Sequence, residues 1–191
     1  MKCHSYTSLF FTFIMTFGLA ACSSTPSHVI VAPDLMTIPA IYHQGKHAQL
    51  NVVDMRTANH IVQVLRKGEA ATLLSAQARL EDIIKVNLTE HWKKQSLQIQ
   101  SNASNTINVS IEKAVISVEQ QTMEYKVQTE IVVKVTVNNG EQTLTTTFNN
   151  RGNSDGPLQA DIAVLERNFN QRLAKLLSQI LANEKIAKFL T

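Results

Sequence analysis

The chain has 191 residues, 44% hydrophobic and 17% charged, with two cysteines and a formal charge of +3 at pH 7. That length suits a single domain with its own core. A near-neutral balance with no more than two adjacent Lys or Arg residues provides no electrostatic footprint for nucleic acid.

The first 21 residues read as a signal peptide. Lys2 precedes an apolar run from Leu9 to Ala20, which is shorter than the ~20 residues a spanning helix needs and closes on small residues. Leu19-Ala20-Ala21-Cys22 resembles the lipobox of bacterial lipoproteins. In that motif the thiol of the cysteine takes a diacylglyceryl group as a thioether, and small side chains admit the peptidase to the backbone. Cleavage before Cys22 removes Lys2 alone among the charged residues, so the mature chain carries +2. Cys3 leaves with the signal and Cys22 is consumed by lipid, so no disulfide is expected. Two or more acyl chains anchor stably where one does not. Ser23-Ser24 behind Cys22 lack the Asp that marks inner-membrane retention in lipoproteins. By that resemblance the mature protein is expected at the outer membrane, facing the periplasm.

Residues 22–46 hold Pro26, Pro33, Pro39 and Gly45 around the run Val29-Ile30-Val31, which predicts an extended tether with one short edge strand. The tether precedes a single domain, 47–191. Its alternation around Leu50 and Val52 and the run Ile61–Leu65 predict two strands. Leu80, Ile83, Ile84, Asn87, Leu88 and His91 fall at helical spacing, with Ser75 as the expected N-cap. Ile107, Val109 and Ile111 give way to Ala114, Ile116 and Val118, an odd-to-even change that keeps one face buried if a bulge lies near Glu112-Lys113. Met123 to Val137 alternate over a long strand, and Asn138-Asn139-Gly140-Glu141 turns it back through Leu144, Thr146 and Phe148. Gly152 to Gly156 reads as a loop, with Pro157 in the first turn of a helix that reaches about Ala182. Its apolar stripe runs from Leu158 to Ile180, and Asn183 caps a last short helix. The expected fold is α+β: an antiparallel meander with two amphipathic helices packed on one face, plus a short C-terminal helix.

Candidate chemistry is sparse. His43 and His47 stand four apart, a metal-ligand spacing on a helix, but Gly45 and Pro39 argue for a loop and two solvated histidines. Neither Gly-x-Ser-x-Gly nor Ser-x-x-Lys occurs in the mature chain. Leu74-Ser75-Ala76-Gln77-Ala78-Arg79 echoes the Leu-Ser-x-x-Arg segment of peptidoglycan-binding domains but lacks the Asp on the preceding loop. Asp54 and Arg56 lie two apart on one side of a strand, where they form either a strand-end ion pair or a receiver for a ligand's charges.

With the lipobox, the Pro-rich tether and Val52-Val53-Asp54-Met55-Arg56-Thr57 in place, the chain resembles the YajG family of uncharacterised lipoproteins. The order of elements matches along nearly all of the mature chain. The resemblance implies an address and a fold but no catalytic residue. The expected function is therefore a non-catalytic binding or assembly module of the cell envelope. It is held to the membrane through Cys22, uses no cofactor, and has an envelope protein or peptidoglycan as partner. Docking is expected where the tether's edge strand, Val29 to Val31, meets the sheet. An enzyme built from scattered polar residues and a carrier of an apolar ligand stay open as alternatives.

Overall fold

The structure, a computed structural model, describes residues 27–36 and 43–190. Cys22 and Pro39 lie outside the described residues. In chain order the elements are β1 (His28–Val29), β2 (His47–Asp54), β3 (His60–Arg66), β4 (Thr72–Ala76), α1 (Leu80–Lys94), β5 (Gln98–Ile99), β6 (Asn105–Gln120), β7 (Glu124–Asn138), β8 (Thr143–Pro157), α2 (Ile162–Leu181) and α3 (Glu184–Phe189).

The sheet is mixed, which corrects the expected antiparallel meander. β6 pairs with β7 and β7 with β8 antiparallel, as hairpin sequences require. On its other side β6 holds two strands end to end, both parallel to it: β2 along Asn105–Ile111 and β3 along Ile116–Gln120. β4 turns back antiparallel on β3, and β1 runs parallel to β4. The reason for the miss is physical. Half-buried parallel and antiparallel strands share one period-two pattern, and only the connection decides direction. Here α1 lies within the crossover that returns the chain parallel to β2.

The register shift between Ile111 and Lys113 places the bulge where the pattern slips. Ile107, Val109, Ile111, Ala114, Ile116 and Val118 on β6 are all buried, as are Ile131, Val133, Val135 and Val137 on β7. α1 packs on β2 and β5, α2 on β7 and β8, and the two helices touch. Trp92 and Phe169, fully buried, are the largest side chains each helix contributes. The opposite face of the sheet is polar. Asn51 donates to Asn108, Gln63 to Ser117, and Glu130 on β7 takes Lys113 from β6 and Arg151 from β8.

Four local expectations are revised. Ser75 lies in β4, and α1 starts after Arg79 without a side-chain cap, with Glu81 and Asp82 in its first turn to meet the helix dipole. Residues 152–156 are strand, not loop, because β7 supplies ladder partners as far as Glu124. A Cβ at Gly152 would meet the end of the Arg172 side chain, and one at Gly156 the Tyr125 ring, so a larger residue at either place requires that side chain to shift. The helix consequently begins at Ile162, capped by the Asp161 carboxylate accepting from Ala163 N–H at 2.8 Å.

The fourth revision concerns the tether. Val29, Val31, Pro33 and Leu35 are buried against the body. Ile30 N–H donates to Glu166 and Ala32 N–H to Asn170, while Asn170 donates back to the Ile30 carbonyl. The expected docking edge at Val29–Val31 is thus closed by α2. His43, expected in solvent, is buried with neither ring nitrogen partnered among the described residues, and burial, then the charge of Lys46, holds its pKa below the ordinary value. Lys46 itself clasps the chain end, donating to the carbonyls of Ala187 and Leu190.

The alternation on β7 makes a direct prediction. Val133→Asp places a carboxylate in the core and destabilises the protein by about 4 kcal/mol or more. Lys134→Asp, on the polar face, loses only an exposed pair with Glu112 and costs about 1 kcal/mol. Thermal melts of the two variants, read side by side, check it.

Candidate functional site

Asp54 is the last residue of β2, and β3 begins at His60, so residues 55–59 bridge a gap in the line of strands beside β6. That gap faces the bulge, where the ladder from Asp54↔Ile111 stops and resumes at Val62↔Ile116. Met55 N–H reaches the Ile111 carbonyl at 3.0 Å. Arg56 then folds its side chain into the gap, where Nη1 donates to the carbonyls of Ala114 (3.1 Å) and His60 (3.3 Å). Nε and Nη2 form a two-pronged pair with the Asp54 carboxylate at 2.9 and 2.7 Å. Asp54 also accepts from the Arg56 backbone N–H at 3.1 Å.

Only 7% of the Arg56 side chain and 13% of the Asp54 side chain are exposed. Burial pushes the Asp54 carboxyl up, but the side-chain and backbone hydrogen bonds from Arg56 outweigh it and hold the pKa below the ordinary value. Of the five guanidinium N–H donors four are spent inside the protein, leaving one for a ligand. A cleft of about 570 Å³ opens beside the pair, lined also by Asn59, Ser75, Gln77 and Glu81. It has no histidine and no cysteine among its lining residues. The arrangement works as a clasp that satisfies carbonyls where a ladder is interrupted. Among the described residues no three His, Cys, Asp or Glu side chains converge as metal ligands, so His43 and His47 remain a pair at most.

A second feature was not legible as a site in the sequence. β8 pairs with β7 over fifteen residues, and among the described residues no strand pairs with its other edge. The hairpin bond from Asn139 N–H to the Gln142 carbonyl sets the alternation: Leu144, Thr146 and Phe148 bond to β7, and the backbone groups of Thr143, Thr145, Thr147 and Asn149 point outward. The same parity turns the Arg151 carbonyl outward, where Arg172 donates to it. Arg172 of α2 therefore closes the edge at Arg151, while among the described residues nothing pairs with the outward backbone of Thr143–Asn149.

Mixed sheet and paired helices define the class, a single-sheet α+β domain. The sequence model of a family described as uncharacterised lipoprotein matches residues 33–191, and the chain belongs to that family, the YajG-like lipoproteins. A crystal structure of a Xanthomonas campestris protein of the family DUF330 superposes with a TM-score of 0.58 at 10% identity, covering 85% of this chain and 97% of that one. The rare lipoprotein B of Shewanella oneidensis gives 0.39 at 11% identity, over 73% of this chain and 96% of its own. PelC from Paraburkholderia phytofirmans, solved as a dodecamer, gives 0.37 at 10% identity, over 77% and 94%. No curated protein matches the sequence. Among the described residues no helix is long and apolar enough to cross a membrane.

Removing either half of the clasp strands the other in a buried place. Arg56→Ala or Asp54→Asn is expected to lower stability by about 3 kcal/mol. Because the folded pKa of Asp54 is depressed, its contribution is full above the unfolded value of ~3.9 and is lost as pH falls through the folded value. Denaturant titrations of wild type and Asp54→Asn between neutral pH and pH 2 check this, the variant showing the shallower acid loss.

Proposed function

We propose that the protein is a lipoprotein held through Cys22 at the periplasmic face of the outer membrane, and that it works as a non-catalytic module binding an envelope partner by strand addition. The observation that carries the binding reading is the open edge of β8. Four outward residues, Thr143, Thr145, Thr147 and Asn149, present N–H and C=O groups that pair with no strand among the described residues, on a strand with no Lys, Pro or bulge before Arg151. Extended partners gain affinity from such main-chain groups. Membership of a lipoprotein family and Leu19-Ala20-Ala21-Cys22 support the anchoring, and Ser23-Ser24 behind the cysteine support the outer membrane.

Anchoring is tested by metabolic labelling with palmitate. Wild type takes up label, and Cys22→Ser, which cannot form the thioether, takes up none. Label on the serine variant would remove Cys22 as the anchor.

Strand addition is tested with a photocrosslinker at Asn149 in living cells. Thr145→Pro combined with Thr147→Pro blocks an incoming strand, yet costs under about 2 kcal/mol because neither N–H belongs to the ladder. The adduct is expected to disappear while the thermal midpoint stays close to wild type. An adduct that persists in the folded double variant would rule out pairing at this edge.

A further inference from the structure

The end of the sheet where β3, β6 and β7 turn carries two large apolar side chains in solvent. Met123, in the β6–β7 hairpin, is 70% exposed, and Leu158, just after β8, is 64% exposed. Leu158 is held at φ 65°, a left-handed conformation that costs a non-glycine residue about 1 kcal/mol. Its backbone is built in from both sides. Leu158 N–H donates to the Met123 carbonyl at 2.9 Å, and the Gln120 amide donates to the Leu158 carbonyl at 2.6 Å while accepting from Ala160 N–H at 3.1 Å. A strained leucine is thus fixed with its side chain outward beside an exposed methionine. Arg66 and Lys67 at the β3–β4 turn line the same depression, of about 1030 Å³, and Glu69 and Glu124 balance their charge.

The direction of β1 relates this tip to the N-terminus. β3 ends at the tip, β4 runs away from it, and β1 is parallel to β4, so the chain enters the fold from the tip side. His28 stands opposite Ser75, which pairs with His60, and His60 is six residues from Arg66 at the tip. Six residues also separate His28 from Cys22, and at ~3.3 Å per residue both spans come to about 20 Å. Cys22 has the reach to come level with Met123 and Leu158. The β7–β8 hairpin at Gly140-Glu141 lies at the other end of β7, about 50 Å away for a fifteen-residue strand.

We propose that Met123 and Leu158 form a membrane-contacting tip that inserts into the headgroup boundary beside the lipidated Cys22, standing the domain on the bilayer with the β7–β8 hairpin pointing away. The proposal rests on the anchoring reading above. A balanced charge at the tip means that apolar burial, not attraction to anionic lipid, carries the contact, while the lipid on Cys22 supplies the affinity. The domain is thereby oriented, and the open edge of β8 rises along the membrane normal where a partner's strand can reach it.

The test uses the full lipidated chain in vesicles of phosphatidylethanolamine and phosphatidylglycerol. With Cys22 blocked by lipid, an introduced cysteine is the one free thiol, so an environment-sensitive fluorophore is placed at Thr122→Cys or, as control, at Glu141→Cys. The expected result is a blue-shifted emission and quenching by shallow brominated lipid at 122, neither at 141. Both signals at 122 are lost when Met123→Ser is combined with Leu158→Asn, asparagine being at ease with positive φ. Palmitate incorporation is read on the same samples. Lipidated protein with equal, water-like signals at 122 and 141 would overturn the tip while leaving the anchor intact, and a shift that needs native envelopes and is absent from pure lipid would replace the bilayer by a protein partner. Absence of palmitate would overturn the anchor, and the tip with it.

Discussion

The Ala114 carbonyl faces the gap between β2 and β3, and Arg56 is the group that meets it. A long central strand cannot hold two short parallel strands end to end along one side without leaving some of its backbone unpaired where they abut. The bulge at Ile111–Lys113 localises that interruption, and a guanidinium, with donors spread over a planar fork, spans it. Asp54 keeps the fork charged, oriented and neutralised in a place where a lone cation would be costly. The pair is local in sequence, two residues apart, yet it joins β2, β3 and β6.

That clasp sets the shape of the molecule. With β2 and β3 in line, β6 and β7 make one long spine, and β8 runs its whole length on the far side. α1 covers the sheet at β2 and β5, α2 at β7 and β8, and α2 reaches further at two places. Glu166 and Asn170 close the backbone of residues 30–32, and Arg172 closes the Arg151 carbonyl. Two stretches of backbone that would invite pairing are thus closed by side chains of one helix, whereas among the described residues no strand pairs with the outer edge at Thr143–Asn149. The bare edge at Thr143–Asn149 is the feature on which the proposed binding role rests.

The spine also separates two ends with different surfaces. One end carries Met123 and Leu158 in the open with a strained backbone behind them. The other carries the Asn139–Gln142 connection, whose turn is built from side-chain bonds of Asn138 and Asn139 to the next residues and displays no large apolar group. Such asymmetry suits a body attached at one end. The inward packing of Val29, Val31 and Leu35 ties residues 29–35 to the body instead of leaving them as a spacer.

Much of this is readable in the chain before any folding. The alternation of Met123–Val137, the parity slip at Glu112-Lys113 and the stripes of α1 and α2 are one-dimensional records of a buried face, and they placed the long strand, the bulge and both helices. Asp54 and Arg56 were visible as a pair because two residues on a strand share a side. What no local pattern could hold was the partner of each strand. Parallel and antiparallel ladders bury the same alternate residues, so β2 and β3 could not be oriented, and residues 152–156 became strand only because β7 continued opposite them. Whether a strand edge is open depends equally on what lies beside it: Val29–Val31 carry a strong strand signal and are covered, whereas Thr143–Asn149 carry a weaker one and are bare. The sequence determined which residues are buried, since burial is set by period and polarity along the chain; only tertiary structure decided which backbone groups are left unpaired, because pairing is settled between segments far apart in that chain.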